Sequence, residues 1–286
     1  MKIQDISTEK NFIDYWTKVF SGEIIIPEKS LRAEFLENKD HGFSHSLNVW
    51  RKAQEIISEL PQDLSNVWLV NAGCALHDIG RIDPSEFELN SHNKIGVEYA
   101  VRWAVNYEPW IDTDGLIDLF DLILNHDYFN PIISEPEITR PKTIEALLVR
   151  AADKMSLDPA KEVQRYWDYG KRKGGTFYKI GNDLHEEIFF RQQWTPKQYK
   201  DDRTDQLCWL FLIFELQPKD FLPKNKAEME HLEVHNLIFR HYYEWQTNKR
   251  RAVEKILEIA EEECPKFKDR IASVITEYKK KKGFNW

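Results

Sequence analysis

Apolar residues recur every three or four positions along most of the chain, and alternation of apolar with polar residues is nearly absent. Three to four residues make one helical turn, so this spacing gathers apolar side chains on one face and predicts an all-α protein. A first helix is expected from Thr8 to about Phe20, with Phe12, Tyr15, Trp16, Val19 and Phe20 inward. A second starts at Pro27, a residue favoured in the first turn, and buries Leu31, Phe35 and Leu36. Ser44 can cap a third, whose stripe is Val49, Ala53, Ile56, Ile57 and Leu60. A fourth, from about Leu64 to Asp78, carries Trp68, Leu69, Ala72, Ala75 and Leu76, and its Gly73 leaves room for a close neighbour. Ser91 caps a fifth, with Ile95, Gly96, Tyr99, Ala100 and Trp103 inward. After a break at Pro109 to Gly115, a sixth buries Leu116, Leu119, Phe120, Ile123 and Leu124 until Pro131 stops it. From Thr143 to Met155 the chain is apolar nearly all round, which marks a helix central to a core.

Past Val163 the composition shifts. Tyr166, Trp167 and Tyr169 precede Gly170-Lys171-Arg172-Lys173-Gly174-Gly175, which reads as a basic loop that could close on phosphate oxygens or stand as a solvated turn. An aromatic-rich helix is expected from Asp205 to Leu216, and Pro218 and Pro223 break the chain after it. Long helices then run toward the end, with stripes such as Leu232, His235, Ile238 and Phe239, and Ile256, Ile259 and Ala260, before a solvated tail at Lys279 to Lys282. The expected organisation is a helical domain over residues 1–217, N-terminal helices included, with a helical extension over 218–286 packed on it.

Composition narrows the function classes. An apolar fraction of 42% can build a substantial core in 286 residues. A net charge of −8 argues against bulk nucleic-acid binding, which normally needs a basic face, but leaves room for a local basic pocket. The N-terminus lacks an apolar signal segment, and the longest apolar run, Leu207 to Phe214, is too short to span a bilayer. Cys74, Cys208 and Cys264 are widely spaced and form no disulfide or zinc-ribbon pattern. A soluble, reducing, cytoplasmic setting without membrane contact is the expectation.

Against this apolar background a few polar residues stand out. His77 and Asp78 sit side by side in Ala75-Leu76-His77-Asp78-Ile79-Gly80-Arg81, at the end of an apolar helix. Burying both is costly without compensation, and a divalent metal compensates both at once. An imidazole nitrogen with a carboxylate oxygen suits Zn, Fe or Mn better than Ca. Gly80 permits a sharp turn, and Arg81 follows within reach of whatever the pair holds. His45 and His92 each open a buried stripe, and His126 continues the face of Leu119 and Ile123. A histidine in such a place is either a satisfied core residue or a ligand. His41 precedes its helix and is assigned an outer or exposed position. Asp153 shares a line with Ala146 and Val149 and needs a partner, which is either a cation or a buried arginine.

Taken together, His45, His77, Asp78, His92, His126 and Asp153 lie in order on consecutive helices. In this order the sequence resembles the HD superfamily of metal-dependent phosphohydrolases. The matching features are His-Gly-x-x-His at His41 to His45, His-Asp-x-Gly-Arg at His77 to Arg81, and Ala-Asp-Lys at Ala152 to Lys154. The resemblance covers about residues 41 to 158. It implies a helical bundle with a metal site at its middle, bound by His45, His77, Asp78 and Asp153. His92 and His126 fall where two-metal members place theirs. Asp127 stands where a paired histidine is absent, and the Gly-Tyr-Pro signature of cyclic-di-GMP phosphodiesterases is missing, so that label is not carried over.

The resemblance implies hydrolysis of a phosphate ester, of a nucleotide or another small phosphorylated molecule, by metal-activated hydroxide. Two ions, Fe or Mn first and Zn, Ni, Co or Mg next, would be bridged by Asp78. Metals about 3.5–4 Å apart clamp the attacking and leaving oxygens of an in-line displacement. Arg81 and Lys154 are the expected phosphate contacts beside Asp78, or else ordinary surface cations. Two other readings fit the same ligands: a diiron oxygenase like inositol oxygenase, and a non-catalytic nucleotide sensor with the C-terminal helices as its homodimer or output surface.

Overall fold

In a computed structural model, the structure describes residues 1–37, 42–60, 66–82, 92–126, 142–156, 158–172, 229–247 and 249–263, with isolated positions beyond. The described residues are helical with no strand, and the fold is all-α. A 3-10 turn at Ile3–Asp5 precedes α1 (Glu9–Ser21), α2 (Lys29–Glu37), α3 (Phe43–Ile57) and α4 (Val67–Leu76). A second 3-10 turn, Ile79–Ile82, is followed by α5 (His92–Tyr107), α6 (Thr113–Asn125), α7 (Ile144–Met155), α8 (Pro159–Arg172), α9 (Leu232–Thr247) and α10 (Lys249–Glu263). None of the described helices is long and apolar enough to cross a membrane.

Helix starts follow capping chemistry. Thr8, Asp112 and Thr143 each accept a hydrogen bond from the third residue of their helix, at 3.2, 2.9 and 3.1 Å. Two expected starts move. Gly42, not Ser44, caps α3, so Ser44 lies inside the first turn. The second helix begins at Lys29, and the carbonyl of Pro27 instead accepts from the Arg32 guanidinium at 2.7 Å.

The chain divides into two compact units, one of residues 1–129, 134–156 and 221–242, the other of residues 130–133, 157–220 and 243–286. In the first unit α4 and α7 are buried along nearly their whole length, as the apolar run from Thr143 predicts for α7. Gly73 faces Leu122 and Val149 so closely that a Cβ would meet Leu122 at 2.5 Å. Inward on α6 point Leu119, Leu122, Ile123 and His126, while Leu124, expected inside, is exposed. Positions 119, 122, 123 and 126 follow the helical period, and 124 turns off that face.

Aromatic rings pack α1 against α3 and α5. Phe12 stacks on Trp50 with centroids 5.0 Å apart, and Trp16 lies 5.4 Å from Trp103. Two buried polar side chains here are paired with distant parts of the chain. Glu108 accepts from Ile3 N at 2.9 Å, Tyr15 OH at 2.6 Å and Trp110 Nε1 at 2.6 Å. Asn71 accepts from Trp50 Nε1 at 2.8 Å and donates to the carbonyls of Ile3 and Ile6.

In the second unit α8 packs on α10. Trp167 is fully buried and donates to Glu263 at 3.0 Å, and Arg251 pairs with Asp158. α8 continues to Arg172, so Gly170, Lys171 and Arg172 are helical rather than part of a loop. Lys173 to Gly175, the aromatic-rich stretch from Asp205 to Leu216, the boundary at 217/218, Ser91, Pro131, Cys208, Cys264 and the lysine tail lie outside the described residues.

Candidate metal centre

Helix ends build the site. α3 and α5 contribute their first turns, with His45 and His92. α4, α6 and α7 contribute their last, with His77-Asp78, His126 and Asp153. Apolar stripes bring these helices together, and the polar residues at their ends therefore arrive at one place. His77 is fully buried, and His45, Asp78 and His126 are nearly so.

The donors form two groups that share Asp78. In the first, His45 Nε2 lies 3.2 Å from His77 Nε2 and 3.1 Å from Asp153 Oδ1. His77 Nε2 lies 3.7 Å from the same Asp153 oxygen. Asp78 Oδ2 is 3.8 Å from His45 Nε2 and 3.9 Å from His77 Nε2. In the second, Asp78 Oδ1 is 3.1 Å from His126 Nε2 and 3.6 Å from His92 Nε2. The two oxygens of one carboxylate thus face two different histidine pairs.

Hydrogen bonds fix which nitrogens are available. His77 Nδ1 lies 3.2 Å from the carbonyl of Cys74, and His126 Nδ1 lies 2.7 Å from that of Ile123. A carbonyl only accepts, so each Nδ1 carries the proton and each Nε2 presents its lone pair inward. In His126 that lone pair faces a carboxylate oxygen at 3.1 Å. Two acceptors this close require a second imidazole proton or a cation between them. Donors bound to one ion at about 2.0–2.2 Å lie roughly 3–4 Å apart, the range seen in both groups. Imidazole nitrogens with carboxylate oxygens also match borderline divalent metals. The residues present therefore fit a metal, as His45, His77 and Asp78, and as Asp78, His92 and His126.

Charge is balanced inside the set. Arg81 Nε donates to Asp78 Oδ1 at 2.7 Å, and Lys154 Nζ donates to Asp153 Oδ2 at 2.7 Å. Both cations, expected as phosphate contacts or surface groups, thus engage the carboxylates of Asp78 and Asp153, with side chains only 25% exposed. Burial pushes the Asp153 carboxyl up, but Lys154, His45 and His77 outweigh it and hold the group well below the usual carboxylate range. Burial opposes charge on His77, yet the Asp78 and Asp153 carboxylates raise its imidazole above the ordinary value. Cys74, one turn before the pair, is buried, and burial with nearby Asp153 pushes its thiol well up.

All six residues read as ligands from the sequence meet here, while His41 and Asp127 lie outside the described residues. Gly80 has a reason other than the expected turn. Its φ is not left-handed, and its backbone instead presses on α5 at His92 and Gly96, where a side chain has no space. Asn93 carries little signal in the sequence. It is buried beside His92 and donates from Nδ2 to the carbonyl of Leu124 at 3.1 Å. Its only signal in sequence is a polar residue next to a candidate ligand.

Residues 42–158 match the family model described as HD domain. That span runs from the cap of α3 to just past α7 and contains all six candidate ligands. No curated protein and no solved structure matches the chain.

Proposed function

We propose that this chain, whose residues 42–158 match the HD-domain model, is a metal-dependent phosphohydrolase that cleaves a phosphate ester of a nucleotide or another small phosphorylated molecule. Two divalent ions, Fe or Mn foremost, would be held by His45, His77, Asp78 and Asp153 on one side and by Asp78, His92 and His126 on the other. The observation that carries this reading is the split of the Asp78 oxygens between two histidine pairs. One carboxylate facing two donor groups is the arrangement a bridging ligand needs.

Ions bound there supply Lewis-acid charge and bring the pKa of water down toward about 7. The chain's own residues supply the rest. The carbonyls of Cys74 and Ile123 hold His77 and His126 in the tautomer that turns Nε2 inward. Arg81 orients Asp78 and carries a planar fork suited to a phosphate oxygen. Lys154 does the same for Asp153 as a point charge. Burial of the donors excludes bulk water and strengthens each charge interaction.

Purified protein with measured metal content, screened against phosphate esters with Mn or Mg, tests the proposal. Phosphate release is expected, and variants of Asp78 should abolish it. Oxygen consumption by the iron-loaded protein, without phosphate release, would overturn it in favour of an oxygenase.

A further inference from the structure

The two histidines of the second donor group come from opposite helix termini, the first residue of α5 and the cap of α6. The last carbonyls of a helix have no partner within it. At the end of α6, two of these carbonyls are used in the site. That of Ile123 accepts from His126 Nδ1 at 2.7 Å and fixes its tautomer. The next, that of Leu124, accepts from Asn93 Nδ2 at 3.1 Å. Asn93 directly follows His92 and is buried, so its amide fastens the residue after one ligand to the residue two before the other.

This bond joins the two elements that carry the second group's histidines. His92 Nε2 lies 3.6 Å and His126 Nε2 3.1 Å from the shared Asp78 oxygen. The first group is carried by other elements, His45 by α3, His77 at the end of α4 and Asp153 by α7. Building on the two-ion reading, we propose that Asn93 is a positioning residue for the His92–His126 half of the site. Through Leu124 it decides whether the second ion is retained, and it leaves the first ion alone.

The test counts ions on the full chain. Protein stripped by chelation is titrated with Mn²⁺, and free Mn²⁺ is read by electron paramagnetic resonance. The unaltered protein should take up two equivalents. Asn93→Ala should keep the first equivalent at unchanged affinity and weaken the second about ten- to a hundredfold, the usual effect of removing an outer partner of a ligand. Asn93→Leu, which keeps the shape and lacks the amide, should behave alike and serves if the alanine variant does not fold. Two outcomes overturn the proposal and leave the two-ion reading intact: both equivalents retained as before, or both weakened equally as a general structural defect would do. Uptake of a single equivalent by the unaltered protein overturns the two-ion reading, and this proposal with it.

Discussion

A Cβ on Gly80 would lie 2.0 Å from the carbonyl oxygen of His92, so the turn that follows Asp78 rests directly on the backbone of α5. The same atom would come within 2.8 Å of the amide nitrogen of Gly96. Backbone cannot move aside as a flexible side chain can. The distance between Asp78 and His92 is therefore set by the absence of a side chain at Gly80. Gly80→Ala should push the turn and α5 apart and destabilise the protein by about 1–3 kcal/mol, as overpacking does. Urea unfolding measures that cost. Metal analysis on the same sample should show loss of the second ion before the first.

Asp78→Asn keeps the volume and removes the charge shared by both donor groups. It should reduce metal retention more than loss of any one histidine and abolish phosphate release, while circular dichroism keeps its helical signal. Full metal content with full activity would remove the basis of the proposed chemistry.

Arg81→Ala removes the 2.7 Å bond to Asp78 and a cation from the site's edge. Lost charged hydrogen bonds cost roughly 1.5–3 kcal/mol, so kcat/KM for the phosphate ester should fall about ten- to a hundredfold. An unchanged kcat/KM would shift the phosphate contact to Lys154.

Away from the metal centre, Tyr15 gives a pH dependence whose sign is fixed. Burial, then the bonded Glu108 carboxylate, raise its phenol well above the ordinary value of 10.0. Above about pH 10 the unfolded chain releases this proton and the folded chain keeps it. The contribution is therefore complete below pH ~10 and declines above it, by up to about 1.4 kcal/mol per pH unit. Tyr15→Phe should flatten this alkaline limb in a series of unfolding curves. A limb of the same slope in the variant would assign the effect to another group.

The helices were legible because their apolar stripes follow the helical period, and each stripe also showed where its polar residue would face. His45, at the head of the Val49 and Ala53 stripe, and Asp153, on the line of Ala146 and Val149, could be placed inward on that ground alone. What the period could not give was contact between backbones. The pressure of Gly80 on His92 depends on how closely two elements approach, which no residue pattern within either one encodes. Glu108 was invisible for a related reason. Its donors are Ile3, Tyr15 and Trp110, and only the last is near it in the chain. Leu124 shows the opposite failure, since an apolar residue beside a stripe was read as part of it.

His45 and Asp153 stand 3.1 Å apart although three helices, α4 to α6, separate them in the chain. Helices form from local contacts quickly, whereas contacts between distant segments must first overcome the entropy of closing the intervening chain. A chain with α3 to α7 formed but not yet docked has all six donors and no site. Ion capture should therefore be among the last events of refolding, and a metal-sensitive signal would time the docking of the helices rather than their formation.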